Sequence, residues 1–126
     1  MKGKEQLKKS KVIKIDSQKS WDYFVAQANF KGCPVLVHFS ASWCAPSVAM
    51  NPFFEELASG HQDFMFLLVD VDEVKEIASK FEIKAMPTFL LMSGGVAVEK
   101  IVGANPDELR KMVDGFICST PSQSSI

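Results

Sequence analysis

Two hydrophobic periods alternate along this chain. The short β-prone run Val12-Ile13-Lys14-Ile15 predicts a strand. Trp21, Phe24, Val25 and Ala28 then fall at i, i+3, i+4 and i+7, which is one face of a helix. Asp16 or Ser17 can cap that helix, and Gly32 with Pro34 ends it. Val35 to Phe39 is largely apolar, as a strand buried on both faces requires. After Ser40-Ala41-Ser42-Trp43-Cys44-Ala45-Pro46-Ser47 the pattern turns helical as far as Ser59, with a kink expected at Pro52 and an end at Gly60. Phe64 to Val69 is a second buried strand. Val74, Ile77, Ala78 and Phe81 return to helical spacing. Thr88 to Met92 and Val96 to Val102 are strands joined by a Gly94-Gly95 hairpin. Asn105-Pro106-Asp107-Glu108 starts the last helix: a cap, proline in the first turn and an acid three residues after the cap. Leu109, Met112, Val113 and Phe116 form its buried stripe.

The resulting order, β-α-β-α-β-α-β-β-α, predicts an α/β sandwich. Its central mixed sheet of about five strands is flanked by four helices. At 126 residues the chain has room for one domain. A hydrophobic content of 47% against 23% charged residues excludes chain-wide disorder. No apolar run approaches the roughly 20 residues that cross a bilayer, and MKGKEQLKKSK has no apolar segment of a secretory signal behind it.

Charge adds one feature. Residues 1–11 hold five lysines against Glu5, a net of +4, so the remainder carries −5 of the overall −1. Residues 1–11 are therefore expected to be a flexible basic arm, 12–118 the domain and 119–126 a disordered Ser-rich tail. The arm lacks aromatic residues for stacking on bases. The acidic body disfavours a nucleic-acid partner. No membrane partner is expected, and the chain is expected to work as a monomer.

Three cysteines are too few for a disulfide scaffold and suit a reducing, cytoplasmic setting. Cys44 stands where a buried strand meets a helix start, whose unpaired N–H groups favour a thiolate, the nucleophile of disulfide exchange. The position alone also fits a buried, inert thiol.

The surrounding motifs separate these readings. Ala41-Ser42-Trp43-Cys44-Ala45-Pro46-Ser47, Val69-Asp70-Val71-Asp72-Glu73, Ala85-Met86-Pro87-Thr88-Phe89 and Val102-Gly103-Ala104-Asn105 follow one another in the order and spacing of the thioredoxin superfamily. From Val12 to Phe116 the chain resembles the h-type thioredoxins of plants. The resemblance implies the thioredoxin fold, a reactive cysteine at Cys44 and a cis-proline at Pro87. It also implies a flat, exposed substrate surface made by Trp43, Ala45, Pro46, Met86, Pro87, Gly103 and Ala104.

Three departures from the family pattern occur together. Ser47 replaces the second cysteine of the Trp-Cys-Gly-Pro-Cys motif, His38 replaces a buried Asp, and Leu68 replaces a Lys. In this the chain resembles the monocysteinic plant subgroup called CXXS. The implied activity is a monothiol thiol–disulfide oxidoreductase or protein disulfide isomerase acting on client proteins through Cys44. An external thiol such as glutathione would release the product. The alternative is a non-catalytic binding module that captures clients on the same surface.

Neither other cysteine suits the role of resolving thiol. Cys33 lies eleven residues before Cys44, about 25–30 Å away along an extended strand, whereas a disulfide needs Cα atoms within about 7 Å. Cys118 sits at the far end of a helix that retreats from the site. Ser47, one helical turn beyond Cys44, is expected to donate its hydroxyl to the Cys44 thiolate. His38 is expected as a hydrogen-bonded core histidine, or as a pH-tuning group near neutrality. Gly94-Gly95 is no phosphate loop, Asp70 and Asp72 look like a helix start, and the histidines and cysteines lack zinc spacing. No metal and no cofactor are expected.

Overall fold

Why Cys44 ends up beside Met86 follows from the way two antiparallel strands are added to a parallel core. The computed structural model describes residues 10–118. Apart from Ser10 and Lys11, the expected arm and tail lie outside the described residues.

The elements are β1 (Val12–Ile15), α1 (Gln18–Lys31), β2 (Val35–Ser40), α2 (Ala45–Ala49), α3 (Asn51–Gly60), β3 (Met65–Asp70), α4 (Lys75–Lys80), β4 (Thr88–Ser93), β5 (Val96–Val102) and α5 (Pro106–Cys118). One five-stranded sheet runs β1-β3-β2-β4-β5. β3 pairs in parallel with both β1 and β2, whereas β4 runs antiparallel to β2 and β5. The fold is that of thioredoxin.

β2 is the central strand, and all six of its residues are buried. Alternate side chains feed two cores, as the two-residue period of a strand dictates. Leu36 joins Phe54, Phe66, Phe89, Leu109 and Val113 under α3 and α5. Val35, Val37 and Phe39 join Trp21, Leu67, Val69 and Ile77 under α1 and α4.

The local signals work as read. Ser17 caps α1 in a reciprocal box with Ser20, and the Asn105 side chain accepts the Glu108 amide at 3.1 Å. Gly94 and Gly95 both have positive φ, 64° and 85°, as a two-residue hairpin turn between twisted strands requires.

One expectation needs correction. The helix predicted to run on to Ser59 with a kink is two helices. Met50, at φ −83° and ψ −10°, ends α2 and opens α3. Pro52 has no N–H to give the turn before it, and its ring would collide with the carbonyl four residues back. It sits instead in the first turn of α3, where no intrahelical donor is needed. Taken as two halves of one bent element, α2 and α3 leave four helices around the sheet.

Candidate active site

The site is built at the C-terminal end of β2. After Ser40 the chain turns, with the Cys44 amide donating to the Ala41 carbonyl at 3.0 Å. Cys44 then occupies the cap position of α2 with extended φ −102° and ψ 105°, and its carbonyl accepts the Val48 amide at 3.1 Å. Pro46 falls in the first turn of α2, where proline fits. The Cys44 thiol is half-buried and donates to the Met86 carbonyl at 3.5 Å.

The turn that carries that carbonyl is held from two sides. The Met86–Pro87 peptide is cis. The buried Thr88 hydroxyl donates to the Ala85 carbonyl at 2.7 Å, closing the turn. The Pro87 carbonyl accepts the Gly103 amide at 2.9 Å, tying the turn to the β5–α5 connection. Gly103 has φ +113°, a conformation open to glycine and strained for other residues.

Trp43, Ala45, Pro46 and Ala104 are exposed, while Met86 and Gly103 are half-exposed. Trp43 is 67% exposed, and the neighbouring Val48 and Val102 are exposed as well. Of the residues expected to form a surface with Cys44, Pro87 is the exception in exposure. That residue is buried.

The serine and the histidine differ from expectation. Ser47 is fully buried, and its hydroxyl has no hydrogen-bond partner. It does not bond the Cys44 sulfur, which turns to Met86 instead. His38 is fully buried too, yet neither ring nitrogen has a partner. Its ring stacks on Phe89 at 4.6 Å and meets Phe54 edge-on at 5.2 Å. Its strand neighbours are Leu68 and Phe89. Burial among these apolar groups pushes the imidazole pKa down to about 4. The hydrogen-bonded histidine and the switch near neutrality thus give way to a neutral, aromatic-like core side chain.

Sequence reasoning missed one contact. The Trp43 indole N–H donates to the Asp72 carboxylate at 2.7 Å. Asp70 does shape the turn before α4, accepting the amides of Asp72 and Glu73 at 2.8 and 3.3 Å. Asp72 instead reaches back to the site. The motif Val69-Asp70-Val71-Asp72-Glu73 was the available signal.

Cys33 lies at the opposite end of β2, half-buried, donating to the Asp63 carbonyl at 3.1 Å. Burial, then the Asp63 charge, push its thiol pKa up. The side chain of Cys118 lies outside the described residues. Among the described residues no group of three His, Cys, Asp or Glu side chains could hold a metal ion, and no helix is long and apolar enough to cross a membrane.

Cys44 thus stands at a strand–helix junction with its thiol facing the Met86 carbonyl. Residues 11–115 match the thioredoxin family. The chain belongs to the thioredoxin family.

As a thioredoxin-family protein it is a thiol–disulfide oxidoreductase whose substrates are protein disulfides, a chemistry that needs no cofactor. Thioredoxin-like protein CXXS1 of Arabidopsis thaliana is 59% identical over 111 residues, which is 88% of this chain and 94% of that protein. The rice protein of the same name is 56% identical, covering 83% of this chain and 79% of its own length. Among solved structures, a poplar thioredoxin h mutant superposes with a TM-score of 0.86 at 39% identity, over 89% of this chain and 87% of that one.

Proposed function

We propose that this thioredoxin-family protein is a monothiol oxidoreductase and disulfide isomerase whose nucleophile is Cys44. The observation that carries the reading is Ser47, a buried hydroxyl where a dithiol thioredoxin has its second sulfur. The Cys44 thiolate attacks one sulfur of a client disulfide. A Cys44–client disulfide forms, the client S–S bond breaks, and the client's other sulfur leaves as a thiolate. Among the described residues no other thiol stands beside Cys44 to attack the adduct. A second client cysteine can do so, which rearranges the client's disulfides. An external thiol such as glutathione can also attack the client sulfur, which leaves the client glutathionylated, and a second glutathione then frees the reduced client and leaves as glutathione disulfide. In each case Cys44 departs as a thiolate.

In this reading Trp43, Ala45, Pro46, Met86, Gly103 and Ala104 bind the client segment, and the buried Pro87 belongs to the turn that carries Met86. Ser47 acts when Cys44 carries charge. Its hydroxyl has no partner in the thiol form, and an unmet buried donor costs about 1–3 kcal/mol. Turning toward the sulfur one helical turn away would relieve that cost as the thiolate leaves. His38 fills core space and stays neutral. The domain of residues 12–118 works as a monomer in the reducing cytoplasm, in keeping with the free thiols of Cys33 and Cys44.

The apolar collar of Trp43, Val48 and Val102 favours a second reading, in which the same surface captures clients without turnover. Refolding of a scrambled-disulfide substrate, with and without glutathione, separates the two. Catalysis predicts many refolded molecules per protein and none with Cys44→Ser. Capture predicts at most one.

A further inference from the structure

Away from the active site, one side-chain contact fastens the start of the domain to its helical layer. Ser10 is exposed and immediately precedes β1. Its hydroxyl oxygen lies 2.8 and 2.7 Å from the two carboxylate oxygens of Glu55, which is exposed on α3. The same oxygen accepts the Val12 amide at 3.0 Å, so it holds the first residue of the strand as well. β1 is an edge strand, paired only with β3. Its first turn of chain therefore depends on this latch more than a central strand would.

The sequence surrounds this serine with charge. Lys8, Lys9 and Lys11 all fall within two residues of Ser10. No other described serine has more than one lysine or arginine that close. Ser40 and Ser47 are buried, and Ser20 and Ser79 lie in helices. An exposed hydroxyl, before an edge strand and inside a basic run, is accessible to an enzyme that selects serines by adjacent cations.

We propose that Ser10 is a phosphorylation site and that its modification opens the latch between β1 and α3. A serine/threonine kinase directed to basic segments transfers the γ-phosphoryl group of ATP to the Ser10 oxygen. An O–P bond forms there, the bond between the β–γ bridging oxygen and the γ-phosphorus breaks, ADP leaves, and the hydroxyl proton passes to solvent. The product carries a charge of about −1.5 to −2 where the hydroxyl had donated to a carboxylate. Like charges at that separation repel, and the lost proton removes the donor that joined them. Glu55 is released. Ser10 precedes the N-terminal end of β1, whereas Cys44 follows the C-terminal end of β2. Both strands run parallel to β3, so latch and thiol lie at opposite ends of the sheet. The switch therefore acts on the start of the chain and leaves thiol chemistry unchanged.

The full chain, incubated with ATP and a kinase selective for serines in basic segments, tests this by peptide mapping and hydrogen exchange. Expected are one phosphate at Ser10, none there in Ser10→Ala, and exchange at Val12 and Ile13 faster by about two- to fivefold, the size of a lost exposed charged contact. In Glu55→Gln the phosphorylated chain exchanges much closer to its unmodified form, because the repulsion is gone. Alkylation of Cys44 stays within about twofold throughout. Absence of phosphate from Ser10 overturns the proposal. So does a phosphorylated chain that exchanges at β1 like the unmodified one, or an acceleration that Glu55→Gln leaves intact.

Discussion

The indole N–H of Trp43 is bonded at 2.7 Å to the carboxylate of Asp72, a residue 29 positions further along the chain. Trp43 is 67% exposed and immediately precedes Cys44. An apolar group presented to a client in one orientation loses less entropy on binding than one that must be ordered. The bond thus serves the surface more than the fold.

Asp72→Ala is therefore expected to change global stability by less than about 1 kcal/mol, as exposed polar contacts do. It should slow mixed-disulfide formation with a protein client by about three- to tenfold while leaving alkylation of Cys44 by a small reagent unchanged. Chemical denaturation and the two rates, measured side by side, check this. Equal losses for client and small reagent would place the effect on the thiol instead of the surface.

Alkylation followed by peptide mapping should find Cys44 modified before Cys33. Cys33 is held to the Asp63 carbonyl, and burial and the Asp63 charge raise its pKa, which lowers the thiolate fraction that reacts. Faster labelling of Cys33 would contradict the site assignment.

The core histidine predicts a pH effect on stability. The imidazole pKa is lowered from 6.5 to about 4 in the folded protein. Between those values the unfolded chain binds the proton more readily, so stability falls as pH drops below 6.5 and levels off below about 4. The full loss is about 3 kcal/mol at about 1.4 kcal/mol per pKa unit. Carboxylates titrate over part of this range. The checking quantity is therefore the difference between the parent and His38→Leu in urea unfolding at pH 7.5, 5.5 and 4.5. A constant difference would remove His38 as the cause.

Ser47 can be tested for stability and rate separately. Removing an unpartnered buried hydroxyl should leave stability unchanged or raise it by up to about 1 kcal/mol. If the hydroxyl assists the departing Cys44 thiolate, Ser47→Ala should nonetheless slow release of the mixed disulfide. Ser47→Cys should give some dithiol reductase activity, and the double change with His38→Asp clearly more. A buried second thiol must lose its proton in an apolar setting, and neutral His38 has no nitrogen directed to a partner there. Insulin reduction driven by dithiothreitol, and then by thioredoxin reductase, compares the three. Equal rates for the single and double variants would show that residue 38 does not tune the site.

Much of this architecture was legible in the chain. The strand boundaries of Val12–Ile15 and Val96–Val102, the Ser17 and Asn105 caps and the glycine hairpin all rest on local signals that packing reinforced. The place of Cys44 at a helix start was legible from its motif. Local pattern could not supply what depends on distant neighbours. Proline at position 52 signalled a disruption, but whether the helix bends or breaks depends on how α2 and α3 pack. Ser47 three residues after Cys44 suggested a bond, yet the thiol finds the Met86 carbonyl from another strand end. Nothing near His38 in sequence announces a Phe54–Phe89 cage without a polar partner. Asp72 looked like part of a helix start because its partner Trp43 is remote in the chain.

The monothiol mechanism is tested most directly by counting adducts. A model protein whose one cysteine is disulfide-bonded to a separate peptide, so that the displaced thiol leaves with that peptide and is removed, is mixed with the reduced protein, without and then with glutathione, and the Cys44 adduct is followed by intact-mass spectrometry. The account predicts that up to one equivalent of mixed disulfide forms through Cys44 and persists. Glutathione should then discharge it and restore the free thiol for repeated cycles. Rapid disappearance of the adduct without any added thiol or client cysteine, or an equal yield of adduct from Cys44→Ser, would contradict it.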